Sequence, residues 1–320
     1  MGLAGANVLV TGGTGFIGSH LVENLLPLAT NIIVSDEGEK NPYSYFFRNK
    51  LNRKSTLVQL DIKDFKRTFH VISKYEIDYV FHLAAHSVVG TAFRNPLETY
   101  ESNIMGTLNV LESCRLYGGI KGIVVSSSDK AYGKIPRASE TDPLSGNHPY
   151  ESSKSAADLI AQTYFATYKL PAVITRFGNT YGEGDLNFSR IIPGIMEAVI
   201  KNKALEIRSN GKYVRDYVYV EDIVDALIAL VKNMNSVKGE AFNISSTENL
   251  SVIEIIKLVS KILNHKIRYK IMNIAVNEIP AQSINFNKIK KVLLWKPKEN
   301  LLSTIPTIYD WYRKYFEDKS

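Results

Sequence analysis

Val8-Leu9-Val10-Thr11-Gly12-Gly13-Thr14-Gly15-Phe16-Ile17-Gly18-Ser19-His20 is the stretch on which the rest of the chain is organised. The apolar run Val8 to Val10 reads as a buried parallel strand. Gly12, Gly15 and Gly18 follow, and the pattern Leu21, Val22, Leu25, Leu26 then begins a helix. Gly12 allows a sharp turn from strand to helix. Gly15 lets the backbone approach a pyrophosphate, and Gly18 lets the helix pack close to its strand. The free N–H groups and the dipole of the helix start then hold the phosphates. Three glycines alone are weak evidence, so the context decides. A second apolar strand, Ile32-Ile33-Val34, ends at Asp36, eighteen residues beyond Gly18. A carboxylate placed there accepts ribose hydroxyls and repels a 2′-phosphate, which favours NAD over NADP.

Further strands follow. Leu57 to Leu60 ends at Asp61-Ile62, where the carboxylate either meets an adenine amino group or caps the next helix. Asp78 to Ala85 is the fourth strand, and the small Ala84 and Ala85 let a cofactor lie against its end. A helix is expected from about Pro96 to Tyr117. Gly122 to Ser128 reads as a fifth strand ending in hydroxyls, followed by the loop Asp129-Lys130-Ala131-Tyr132-Gly133. In an open α/β sheet, ligands bind at that end of the strands. Tyr150 to about Tyr168 is a helix, and Ala172 to Arg176 is another strand. This alternation predicts an α/β fold with a parallel, doubly wound sheet. Beyond residue 176 the pattern changes, which predicts a smaller C-terminal α/β lobe; the strand Ala241 to Ile244 is expected to rejoin the main sheet. The expected division is residues 1–175, plus about 223–245, for the cofactor, and 176–222 with 246–320 for the substrate.

Composition narrows the class. The chain has 320 residues, is 45% hydrophobic and 22% charged, and is globular in character. Its single cysteine, Cys114, excludes an internal disulfide framework and falls on an apolar helix face. No apolar run reaches membrane-spanning length, and the first strand leaves no room for a signal peptide, so a cytoplasmic location is expected. The net charge of +7 suits an anionic partner such as a nucleotide. The lysines are scattered, without the basic and aromatic interleaving of a nucleic-acid site. No metal site is expected.

The chemistry lies in Ser128, Tyr150 and Lys154. Four residues apart on a helix, Tyr150 and Lys154 share one face. An ammonium beside a phenol stabilises the phenolate and lowers its pKa. The phenolate then takes the proton of a sugar hydroxyl as hydride leaves the same carbon, with Ser128 positioning that hydroxyl. His86 is given no catalytic role.

Together these motifs resemble the extended short-chain dehydrogenase/reductase family, in its nucleotide-sugar epimerase and dehydratase branch. The resemblance is carried by Thr11 to Gly18, Asp61-Ile62, His82-Leu83-Ala84-Ala85, Asn103-Ile104-Met105-Gly106-Thr107, Ser126 to Ser128, Tyr150 to Lys154, Arg176 with Asn179, and Arg215-Asp216-Tyr217. It implies a Rossmann fold with tightly held NAD, a nucleoside-diphosphate sugar as substrate, and a homodimer built on a helix bundle. The cofactor residues it implies are Gly12, Gly15, Phe16, Ile17, Gly18, Asp36, Asp61, Ile62, Leu83, Ala84, Ala85, Asn103, Tyr150 and Lys154. Those for the substrate are Ser87, Ser128, Asn179, Arg190, Arg208 and Arg215, of which Asn179 and Arg215 would hold the diphosphate.

Asp129 and Lys130 occupy the place of the acid/base pair of nucleotide-sugar dehydratases. The triplet Ser128-Asp129-Lys130 is similar to that of CDP-glucose 4,6-dehydratases. Ile17 stands where those enzymes tend to carry lysine, and Asn273 to Asn285 holds no arginine for the nucleotide. The expected reaction is 4,6-dehydration of a nucleotide hexose, with Asp129 as acid and Lys130 as base. The alternatives are 4-epimerisation, in which Asp129 and Lys130 form a structural ion pair, and a catalytically inactive dinucleotide-binding scaffold.

Overall fold

The structure is a computed structural model that describes residues 2–38, 40–274 and 279–319. Its first strand, β1 (Asn7–Thr11), sends Val8 and Val10 into one hydrophobic core and Leu9 into another. A strand buried on both faces needs apolar residues at every position, which is why the sequence shows a continuous run instead of alternation. β2 (Asn31–Asp36), β3 (Thr56–Gln59), β4 (Tyr79–His82), β5 (Gly122–Ser126) and β6 (Ala172–Phe177) repeat the pattern with helices between them. With β10 (Ala241–Ile244) they form a seven-stranded parallel sheet in the order β10-β6-β5-β4-β1-β2-β3. The strand order reverses between β1 and β4. The connections leave that point on opposite faces, so the carboxyl ends of the strands open into a crevice there.

The helix expected from Pro96 to Tyr117 is interrupted. Pro96–Tyr100 and Gly106–Tyr117 are α-helical, and the turn between them, Glu101–Met105, is a π-helix. This wider turn buries Ser102 and Asn103. Cys114 lies fully buried in the second segment, as a packing residue.

The remaining strands build the second part of the molecule. β7 (Asn179–Tyr181) pairs with β9 (Val214–Tyr219), which also pairs with β11 (Asn249–Ser251) and β13 (Ala281–Gln282). β8 (Leu205–Ile207) pairs with β12 (Tyr269–Ile271). Helices Ile191–Ile200, Val252–Ile262 and Leu301–Lys319 enclose a third core that includes Ile195, Ile256, Ile308 and Tyr312. That last helix, despite the internal Pro306, carries four aromatic residues from Tyr309 to Tyr315. Of the Asn273–Asn285 segment, residues 275–278 lie outside the described residues.

Candidate active site

A cleft of about 1800 Å³ runs from the ends of β1 and β2 across the sheet to the second part of the molecule. At its floor, Gly12 has φ +67 and ends β1 against the end of β4. A Cβ there would meet the Ala84 Cα and N at 2.9 Å, a backbone clash that no rotamer relieves. A Cβ at Gly18 would stand 2.2 Å from the Gly12 carbonyl oxygen. The bare backbone therefore forms a cradle in front of the helix Phe16–Leu25, suited to a pyrophosphate. Asp36, at the end of β2, accepts hydrogen bonds from the Thr14 hydroxyl and, at 2.8 Å, from the Gly38 amide. Its carboxylate thus stands at the mouth of the cradle, where a dinucleotide places its ribose.

His82 fixes the floor from below. Its Nδ1 lies 2.8 Å from the Thr11 hydroxyl and its Nε2 lies 3.0 Å from the Thr107 hydroxyl. Burial pushes its pKa down to about 3, so the imidazole is neutral. One neutral ring therefore ties β1, β4 and the helix Gly106–Tyr117 together.

Most of the expected site residues line this cleft: Gly12, Gly15, Phe16, Ile17, Gly18, Asp36, Ile62, Leu83, Ala84 and Ala85 on the cofactor side. Ser87, Ser128, Asp129, Lys130, Tyr150, Lys154, Asn179, Arg190, Arg208 and Arg215 line the rest. Asp61 and Asn103 are outside the lining. Asp61 accepts from the Lys63 amide at 2.8 Å, a local turn contact. Asn103 works from behind, accepting from the His86 amide at 2.7 Å and donating to Ser153 Oγ at 2.9 Å. It joins the loop after β4 to the helix Pro149–Tyr168. Arg176 also stays out of the cleft, with its guanidinium forked onto buried Asp158 at 2.7 and 2.9 Å.

Tyr150 and Lys154 share a helix face, but the expected electrostatics differ. Lys154 Nζ donates to the Ser126 carbonyl at 3.0 Å. Burial pushes its pKa down to about 8. Burial pushes the Tyr150 phenol up to about 12, helped by the Asp129 charge, while a hydrogen bond with Ser128 and the Arg190 charge pull the other way. The expected lowering of Tyr150 by Lys154 is therefore corrected: the lysine is committed to the end of β5, and desolvation outweighs what remains.

Ser128 Oγ donates to Asp129 Oδ1 at 2.8 Å, and its backbone starts the short 3₁₀ turn Asp129–Tyr132 that aims Lys130 into the cleft. Lys130 Nζ lies 3.5 Å from Asp129 Oδ1 and 3.1 Å from Gln282 Oε1. Gln282 is 4% exposed. It is a site residue that sequence reasoning missed, since a lone glutamine on a two-residue strand carries no pattern. Arg190 pairs with Asp185 at 3.0 Å, and Asn179 Nδ2 donates to the Asp216 carbonyl at 3.4 Å. Arg215 donates to the Val214 carbonyl at 2.8 Å and lies over the Tyr213 ring.

A doubly wound parallel sheet with this glycine cradle, an acidic residue after β2 and a Ser-Tyr-Lys set at the strand ends defines a dinucleotide-dependent α/β enzyme. Residues 8–245 match the NAD dependent epimerase/dehydratase family, and the chain belongs to that family. It is 30% identical to the CDP-paratose 2-epimerase of Salmonella typhi, over 95% of this chain and 98% of that one. Among solved structures, it is similar to the UDP-glucose 4-epimerase of Thermotoga maritima, solved with UDP-glucose. The TM-score is 0.88 and the identity 29%, over 97% of this chain and 99% of the other. It is equally similar in identity, 29%, to the dTDP-glucose 4,6-dehydratase of Bacillus anthracis, solved with NAD. There the TM-score is 0.85 and the cover 98% of each chain. NAD fits the cradle: Gly12 and Gly18 leave the space that a Cβ would fill, and Asp36 faces the ribose position. Among the described residues, no group of acidic, histidine and cysteine side chains could hold a metal, and no helix is long and apolar enough to cross a membrane.

Proposed function

We propose that this chain is an NAD-dependent nucleotide-sugar 4,6-dehydratase, converting a nucleoside-diphosphate hexose to its 4-keto-6-deoxy form. One observation carries the reading: two ionisable groups, Asp129 and Lys130, stand beside Ser128 in the same cleft as Tyr150. Oxidation and reduction at one carbon need Tyr150, Ser128 and Lys154 alone. Asp129 and Lys130 are surplus to that reaction and match the needs of an elimination.

Bound NAD supplies the hydride acceptor at C4 and the hydride donor at C6. Tyr150, as the phenolate that the positive nicotinamide ring of bound NAD would favour over the buried phenol, takes the proton of the C4 hydroxyl, which Ser128 holds. The resulting ketone acidifies the C5 proton. Lys130, as the amine, removes it. Asp129, as the acid, protonates the C6 oxygen, which leaves as water. After the elimination Lys130 is an ammonium and Asp129 a carboxylate, the ion pair that their 3.5 Å separation describes. As hydride reaches C6, the Lys130 ammonium, exchanged with solvent, returns a proton to C5, and the proton that Tyr150 took passes through the Ser128 hydroxyl to Asp129, which resets all three groups. Residues 1–175 with about 223–245 would hold NAD, and 176–222 with 246–320 the sugar nucleotide. Asn179 and Arg215 would take the diphosphate, assisted by Arg190 and Arg208.

The similarity to the T. maritima enzyme favours 4-epimerisation as the second reading. Turnover in D₂O separates the two. Dehydration gives a product lighter by one water and deuterated at C5; epimerisation changes neither. A substrate turned over with its mass and its C5 proton intact would leave Asp129 and Lys130 as a structural pair. The same screen, run over UDP-, CDP-, GDP- and dTDP-sugars, identifies the base. Turnover abolished in Tyr150→Phe excludes an inactive scaffold.

We propose also that the chain works as a homodimer in the cytoplasm. Helices Gly106–Tyr117 and Pro149–Tyr168 expose Leu116, Leu159 and Tyr168, each at least 50% accessible, which suits a second copy of the same helices. Light scattering at micromolar concentration tests this, with Leu159→Asp expected to give the monomer.

A further inference from the structure

Two large apolar side chains stand open in the cleft. Val89 and Phe93 are 38% and 63% exposed, and both line the wall that follows β4. They sit four residues apart on the helix Val89–Arg94, so they share one face. Val88 and Gly90 line the cleft beside them and add no hydrogen-bonding side chain. Ser87 and Arg94 stand at the two ends of this segment. Apolar side chains left open inside a ligand cleft mark a place that the ligand covers.

The strip belongs to the site of Tyr150. Its helix packs against the helix Pro149–Tyr168. The Phe93 ring stacks on that of His148, with centroids 6.0 Å apart and planes 23° from parallel. His148 is the N-cap of the Tyr150 helix, and its Nδ1 accepts from the Tyr150 amide at 3.2 Å. With Nδ1 spent as an acceptor, Nε2 at the far edge of the ring is the nitrogen left to donate. The wall therefore offers an apolar surface with one N–H donor at its border.

The order of the strands decides which part of a sugar meets this wall. The loop after β5 carries Ser128, Asp129 and Lys130, and β5 lies between β4 and β6. Gln282, the partner of Lys130, is on β13 beside β9, and β9 pairs with β7, directly after β6. A hexose held at C4 by Tyr150 and Ser128 thus has Lys130 and Gln282 on the β6 side. Val89, Phe93 and His148 lie on the β4 side. Lys130 takes C5 and C6, which leaves C2 and C3 for the apolar wall. A bare hydroxyl facing Val89 and Phe93 would give up its water for carbon and stay unpaired. An acetamido group meets both features: its methyl covers Phe93 and Val89, and its carbonyl accepts from His148 Nε2.

We propose that Val89, Phe93 and His148 form a subsite for an N-acyl group, and that the substrate is a nucleoside-diphosphate 2-acetamido-2-deoxyhexose. The proposal rests on the dehydratase reading for the direction of the ring, but its test reads binding alone.

The test is calorimetric titration of NAD-loaded Tyr150→Phe protein, which turns over neither sugar, with UDP-N-acetylglucosamine and with UDP-glucose. The two probes share their nucleotide, so the ratio of their Kd values reports C2. The acetamido sugar is expected to bind about tenfold tighter, the effect of one buried methyl and one hydrogen bond. Adding Phe93→Ala or Val89→Ser should bring the ratio towards one. His148→Asn keeps a cap acceptor for the Tyr150 amide and removes the stack and the Nε2 donor, so the ratio should fall there too. Equal affinities, or a preference for UDP-glucose, overturn the proposal. So does a ratio that survives both Phe93→Ala and Val89→Ser. A Phe93→Ala protein that keeps its ratio but loses its dimer gives the strip to a second copy, which overturns the proposal as well. The GDP and dTDP pairs are run alongside, and binding of none of them has the same consequence. Wild-type turnover in D₂O separates the two readings. An epimerised acetamido sugar sinks the dehydratase reading and leaves the binding ratio standing. A dehydrated sugar at a ratio of one sinks only the N-acyl subsite.

Discussion

Lys130 is held more closely by Gln282 than by Asp129, its neighbour in sequence: Nζ lies 3.1 Å from the carboxamide oxygen and 3.5 Å from the carboxylate. β13 pairs Gln282 with Arg215 on β9, so one strand register sets both the proposed base and the proposed diphosphate ligand. Gln282→Leu removes the acceptor and lets the ammonium collapse onto Asp129. A hydrogen bond to a charged group contributes about 1.5–3 kcal/mol, so kcat for dehydration is expected to fall about 10- to 100-fold. KM should change little. Steady-state kinetics check this, and a rise in KM at constant kcat would place Gln282 in substrate binding instead.

Lys154 makes stability depend on pH in a direction opposite to that of a paired lysine. Burial depresses its pKa to about 8, below the value of an exposed lysine. Between that value and about 10.4 the unfolded chain binds more protons than the folded one, so stability from this group rises with pH across the window. At neutral pH the buried ammonium costs about 3 kcal/mol at most. Lys154→Met removes this cost and also leaves the Ser126 carbonyl without its donor. The wild type should therefore gain on the variant between pH 8 and 10 in denaturant titrations. Curves that stay parallel would mean that Lys154 titrates normally.

Gly12→Ala should cost the protein its NAD. The residue combines φ +67 with a Cβ position 2.9 Å from the Ala84 backbone, and neither can relax without moving β1 from β4. The wild type is expected to release NAD on denaturation, and the variant to carry well under one equivalent. Full occupancy in the variant, read by chromatography of the denatured supernatant, would contradict the assignment of the cradle.

Arg215→Ala should raise KM for the preferred sugar nucleotide about 10- to 100-fold, since a charge-assisted contact to phosphate contributes about 1.5–3 kcal/mol. NAD content should be unchanged. An unaltered KM would move the diphosphate site elsewhere in the cleft.

The parallel sheet was legible in the sequence because strands buried on both faces demand uninterrupted apolar runs, and because glycine spacing is a local requirement of one turn. Tyr150 with Lys154, and Ser128 with Asp129, were legible for the same reason: each pair sits within a helical turn or at a strand end. What the tertiary structure decided depends on segments distant in the chain. Gln282 reaches Lys130 across 152 positions of sequence. Asp216 belongs to a legible motif, but its burial behind the site follows from the pairing of β9 and the approach of Gly178 and Ser245. The ionisation of Tyr150 and Lys154 was likewise decided by burial: spacing puts a phenol and an ammonium on one helix face, but only the packed fold sets how much water each retains.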